Sequence, residues 1–137
     1  MAGIIDLNIL IASMQPMLSD GHFVFVTLSG ADYDDVLLYE PIAAVTEEEG
    51  LTLVIPQNRA DAAALHYEGV FRKITLQVHS SLEAVGPTAA VSTRLAEHGI
   101  SANMIAGYYH DHVFVPVDRA DEAVAVLQQL SGEVRTS

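Results

Sequence analysis

The chain contains no cysteine, which excludes disulfides, thiol nucleophiles and cysteine-ligated zinc or iron–sulfur centres. It is also poor in positive charge. Six Lys and Arg stand against eighteen Asp and Glu, a formal net charge of −12. An acidic surface repels phosphate backbones, and no Lys/Arg cluster offsets it locally, so nucleic acid is not an expected partner. The first positive side chain is Arg59, so the N-terminus lacks the basic start of a signal peptide. No apolar run approaches the ~18 residues that a membrane span needs. These absences predict a soluble, cytoplasmic protein with no membrane partner. Catalytic signatures are missing as well: no G-x-S-x-G elbow, H-E-x-x-H pair, phosphate-cradling glycine loop or dinucleotide fingerprint occurs. Ser80, Ser81 and Glu83 fall together in a loop, but a lone carboxylate there is ordinarily just solvated. No cofactor is implied, and the chain does not read as an enzyme.

What remains is apolar and patterned. Half of the 137 residues are hydrophobic, enough for one ordinary domain or two very small ones sharing a core. Leu7, Leu10, Ile11 and Met14 form a helical stripe behind Asp6 as N-cap, closed by Pro16. His22–Leu28 is a buried strand. A polar loop, Ser29–Asp35, leads to a second strand over Val36–Val45, interrupted at Pro41. Glu47-Glu48-Glu49-Gly50 reads as a solvated hairpin turn, and Leu51–Ile55 returns. Asn58 caps a helix reaching about Leu65, with Asp61 at its third position. Phe71–His79 alternates as a half-exposed strand, with Ile74, Leu76 and Val78 on one side. Pro87 opens a helix whose face carries Val91 and Leu95 and whose end is marked by Gly99. Ile100–Ala106 and Val113–Val117 form a second hairpin. Asp118 caps a last helix with the stripe Ala120, Ala123, Val124, Leu127 and Leu130.

Two segments repeat. Thr52-Leu-Val-Ile-Pro-Gln-Asn-Arg-Ala-Asp61 aligns without a gap on His112-Val-Phe-Val-Pro-Val-Asp-Arg-Ala-Asp121. In each copy a strand from a hairpin ends at proline beside an N-capping residue type. Strand–proline–helix is a common junction, yet agreement of residues and context in both copies favours duplication. Hairpins joined to helices that pack on one face describe a ferredoxin-like α+β layer.

The residues FRKITLQVHSSL, GPTAAVSTRLAEHG and ISANMIAGYYHDHVFVPV, in that order, resemble an ACT domain, the small regulatory module that senses amino acids. With EEEGLTLVIP ahead of AGYYHDHVFVPVDRADEA, nearly the whole chain is similar to bacterial stand-alone tandem ACT-like proteins. The resemblance implies an α+β fold of two tandem βαββαβ-type units, with antiparallel sheets and helices packed on one face. Unit limits of 1–68 and 69–137 follow. The first unit lacks the helix between its first two strands, and after Leu130 little chain remains for the last strand of the second. Strand 71–79 is free to serve the first sheet, the second or both. The resemblance further implies a homodimer whose small-molecule ligand, an amino acid, regulates a separate enzyme. By matching position, Val85, Gly86, Pro87 and Thr88 before and in the helix start, with Asn103, Met104 and Ile105 in the next strand, contact that ligand. Gly86 admits close backbone approach, free N–H groups at a helix start favour a carboxylate, and Asn103 both donates and accepts. The blander reading makes Gly86-Pro87 a helix-start device and Asn103 a polar strand-edge residue.

A competing signal is Tyr108-Tyr109-His110-Asp111-His112. His110 and His112, two apart, would share one strand face as metal ligands, with His79 or His22 the nearest source of a third. This supports a metal-binding protein or small metal-dependent hydrolase as the alternative. A polar hairpin tip is more often a hydrogen-bonded turn or an interface patch. A third reading is a ligand-free protein interaction module.

Overall fold

The computed structural model describes residues 7–30, 36–77 and 86–136. Asp6, Val78–Val85 and the loop at 31–35 lie outside them, as do the roles expected there. Two compact units divide the chain: unit 1 comprises 1–20 and 72–137, and unit 2 comprises 21–71.

In unit 1, helix α1 (Leu7–Ala12) is followed by the short strand β1 (Pro16–Leu18). Strand β5 (Phe71–Leu76), helix α3 (Gly86–Glu97), strands β6 (Asn103–Ala106) and β7 (Asp111–Pro116), and helix α4 (Ala120–Thr136) complete it. The strand order is β1-β5-β7-β6, with β1 antiparallel to β5 (Met17 opposite Thr75) and β6 antiparallel to β7. The core gathers Ile74, Leu76, Val113 and Val115 from the strands with Leu10, Val91, Leu95, Ala123 and Leu127 from the three helices. These are the positions the helical and alternating patterns select. Gly99 ends α3 with φ +68, and Ile100 donates back to the Leu95 carbonyl at 3.0 Å.

The expected shortage of a last strand is resolved from the other end of the sequence. Residues after Leu130 continue α4 to Thr136, and the fourth strand is β1, a three-residue element that no sequence pattern announced. Pro16 therefore opens a strand in addition to following a helix.

Unit 2 contains β2 (Phe23–Leu28), β3 (Ala43–Glu47), β4 (Gly50–Pro56) and the six-residue helix α2 (Gln57–Ala62). The order is β3-β4-β2, all antiparallel, and Phe71, the first residue of β5, pairs with Phe23. Phe71 thus pairs within unit 2, and Ile74–Leu76 pair within unit 1. Val24, Val26, Leu51, Leu53 and Ile55 close on Ala60 of α2. Glu47 pairs with Gly50 across the acidic turn, as expected. The strand expected over 36–45 is instead a 3-10 turn at Leu37–Tyr39 followed by β3. Glu40 sits in the left-handed region (φ 52) and Pro41 follows it, so the chain is bent before it can pair.

The repeat holds in the backbone as well. Pro56 (φ −59, ψ 139) and Pro116 (φ −55, ψ 141) hold the same junction, and Ala60 and Ala120 are both buried. Neither expected cap sits at an N-cap: Pro56 holds that position for α2 and Pro116 for the 3-10 turn that contains Asp118, with no side-chain bond at either. A 3-10 turn, Val117–Arg119, intervenes before α4.

Candidate functional site

The residues singled out in the C-terminal half all fall in unit 1. Gly86, Pro87 and Thr88 form the first turn of α3, with Pro87 buried and Thr88 exposed. Val85 lies outside the described residues. A Cβ at Gly86 would stand 2.7 Å from Leu7 Cδ1, so the room this glycine leaves is taken on that side by the α1 side chain.

Strand alternation separates the β6 residues. Met104 pairs with Val113 and packs against the core that α3 and α4 cover. Asn103 and Ile105 pair with Phe114 and His112, so their side chains lie on the opposite face. The side chains of Asn103 and Ile105 therefore do not share a face with the helix start. They join the hairpin that carries His112, a grouping that linear spacing could not reveal.

On that face Thr75 Oγ1 lies 3.0 Å from His112 Nδ1. Burial, then the positive charge of Lys73 and of His110, hold the His112 imidazole below its ordinary range, against the opposing pull of Asp111. Burial raises the Asp111 carboxyl, partly offset by His112 and His110. His110 precedes β7; its carbonyl accepts from Gly107 N–H at 2.9 Å, while its buried Nδ1 has no hydrogen-bond partner. A side chain at Gly107 would collide with that carbonyl at 2.7 Å, which explains the glycine at this turn. Tyr108 and Tyr109 stack edge to face at the tip, with ring centroids 5.0 Å apart, and are exposed by 79% and 68%.

β7 starts at Asp111, so His112 lies in the strand and His110 one residue before it. Among the described residues no three His, Asp or Glu side chains gather to hold a metal. His22 belongs to unit 2 and His79 lies outside the described residues. The face thus offers an amide, a hydroxyl and an imidazole held toward its neutral form beside apolar Ile105. Each of the three polar groups can take part in hydrogen bonds.

Family comparison divides the chain in sequence order, with residues 2–20 in the first match rather than with the second. An ACT-domain model matches residues 2–72, and a second ACT-domain model matches 69–129. The chain belongs to the ACT-domain family, with two such domains in tandem. No curated protein matches it. Among solved structures, it is 52% identical to a Vibrio cholerae protein of unknown function described as a possible transport protein. That match covers 91% of this chain and 95% of the other, with a TM-score of 0.83. Fold similarity alone links it to aspartate kinases. The ligand-free regulatory subunit from Thermus thermophilus is 10% identical with a TM-score of 0.57, covering 84% of this chain and 95% of that one. The Clostridium acetobutylicum enzyme is 9% identical with a TM-score of 0.60, covering 85% of this chain and 34% of that larger one. Among the described residues, no helix is long and apolar enough to cross a membrane.

Proposed function

We propose that this protein is a non-catalytic regulatory module that binds a small amphipathic molecule, an amino acid, and passes the event to a separate protein. The observation that carries the reading is the shared face of Asn103, Ile105, Thr75 and His112 within an ACT fold. Asn103 is exposed at an edge strand and can donate and accept. Lys73 on neighbouring β5 brings positive charge close to His112, which suits a carboxylate. Similarity in fold to a regulatory subunit of aspartate kinase supports a regulatory role. On this reading the protein is cytoplasmic and works as a homodimer, with the exposed Tyr108–Tyr109 pair at an interface. Binding shifts shape or assembly only through different affinity for two states.

A thermal-shift screen against the twenty amino acids tests it. A ligand at one hundred times its Kd contributes about 2.7 kcal/mol, a rise of a few degrees for a chain of this size. A selective rise with one or two amino acids, removed by Asn103→Ala, is the expected result. Removal by Thr88→Ala instead moves the ligand to the start of α3. A flat response to all twenty sinks the proposal.

A further inference from the structure

Unit 1 also contains a cavity of about 220 Å³, lined by Met14, Gln15, Pro16, Gln128, Ser131 and Arg135. None of these belongs to the face described above. Ser131 is only 1% exposed, and its hydroxyl lies 3.0 Å from the Ala12 carbonyl and 3.3 Å from that of Met14. It carries one proton and can donate to only one of them, while its oxygen accepts from Arg135 Nη1 at 2.9 Å. The same Nη1 donates to the Ala12 carbonyl at 3.1 Å, covering the negative end of α1.

All the hydrogen bonds of Arg135 thus use one nitrogen. Among the described residues, its Nε and Nη2 make no hydrogen bond and the side chain has no carboxylate partner. Arg135 is exposed, and Arg72, which donates to the Ser19 carbonyl, likewise has no carboxylate partner among the described residues. Arg59, Arg94 and Arg119 each pair with a glutamate, and Glu133, two residues from Arg135, is held by Arg94 at 2.7 Å. No acidic residue lines the cavity.

From this we infer that the cavity is a binding site for a small carboxylate, separate from the amino-acid face. The side edge of the guanidinium, Nε with Nη2, is the edge that receives two carboxylate oxygens in parallel, and a buried serine already fixes its orientation. Gln15 and Gln128 offer amides, and Met14 and Pro16 an apolar wall. The volume is below the usual range for drug-sized ligands, so the occupant has only a few heavy atoms. Without an acidic lining no charged partner meets an ammonium group, only neutral amide oxygens. Simple, hydroxy and keto acids are therefore favoured over the zwitterion of an amino acid. An occupant here touches both the segment after α1 and the end of α4, and so ties the first residues of unit 1 to its last.

The test uses the full-length, nitrogen-15-labelled protein titrated with sodium pyruvate, with sodium chloride and alanine as controls at matched ionic strength. The Arg135 Nε–H signal and the backbone amides of Ser131 and Gly132 report. The expected result is a saturable shift with pyruvate, none with chloride, and binding of alanine at least about tenfold weaker, as the loss of one charge-assisted contact predicts. Arg135→Lys keeps the charge over the end of α1 but removes the fork, and should weaken pyruvate binding about tenfold or more by the Ser131 and Gly132 signals. The inference is overturned by an absent shift, by one that chloride reproduces, or by equal affinity in Arg135→Lys. An amino-acid response abolished by Asn103→Ala with no pyruvate shift would remove this site and leave the first proposal standing.

Discussion

The two units share a strand plan but differ in cover. Unit 1 buries its sheet under side chains from three helices, two of them 12 and 17 residues long. Unit 2 sets one six-residue helix against its strands, and its edge strand β3 is exposed at four of five positions. Leu37 and Leu38, beside β3 in sequence, are 78% and 68% exposed. A helix longer than three turns presents a broad apolar stripe, whereas α2 offers little beyond Ala60. One repeated junction, strand–proline–helix, therefore seeds two cores of unequal depth. The depth is set by the chain beyond the junction: α4 runs on through Leu127 and Leu130, while the chain after α2 turns away at Ala64 (φ 56).

Substitutions can break this comparison. The largest effect is expected for Leu127→Ala, fully buried among three helices, at about 3–5 kcal/mol by denaturant unfolding. Leu53→Ala, equally buried in unit 2, should cost about 2–4 kcal/mol, because a thinner layer collapses more readily around the gap. Equal costs would show that cover does not set core rigidity here.

Ser131→Ala comes next, at about 1–2 kcal/mol, since it removes the buried hydroxyl that donates to one of the Ala12 and Met14 carbonyls and accepts from Arg135. No loss of stability would mean that Arg135 alone holds the end of α1.

The smallest effect concerns pH. His112 is held toward its neutral form in the folded state, so below about 6.5 the unfolded chain takes up protons that the folded one refuses, and stability falls. Asp111 acts oppositely: its raised carboxyl disfavours the folded state at neutral pH, and that cost is relieved as pH falls through its folded value. His112→Asn should therefore remove the loss that sets in just below about pH 6.5, leaving the acid side governed by carboxylates. Thermal melts of both proteins from neutral to mildly acidic pH provide the check. Parallel curves would place the imidazole in water.

Much of this was legible in the residues. Continuous apolar runs gave β2 and β4, and alternation around Ile74 and Leu76 separated the two sides of β5. The stripe Ala120–Leu130 marked the buried side of α4, and the Pro56/Pro116 correspondence marked the duplication. What escaped depended on partners distant in sequence. A three-residue strand such as β1 has too few positions to show a period, and only Ile74–Leu76, more than fifty residues later, makes it a strand. Asn58 and Asp118 are not the caps because a proline two residues earlier in each copy already fixes the backbone there. The site obeyed the same rule. Asn103 and His112 were noticed separately, and only the pairing of Ile105 with His112 puts them on one face. No local pattern marks Arg135, whose acceptor is a carbonyl 123 positions away.

The split arrangement of unit 1 also sets an order of events during synthesis. Residues 21–71 leave the ribosome as one uninterrupted stretch, and all their internal contacts can close early. The first twenty residues emerge sooner still but must wait: Ser131, which holds the end of α1, is 119 positions downstream of Ala12. Until α4 is made, Leu10, Ile11 and Met14 have no complete core to enter. Unit 2 can therefore close before unit 1, whose core needs α1 together with the much later α4.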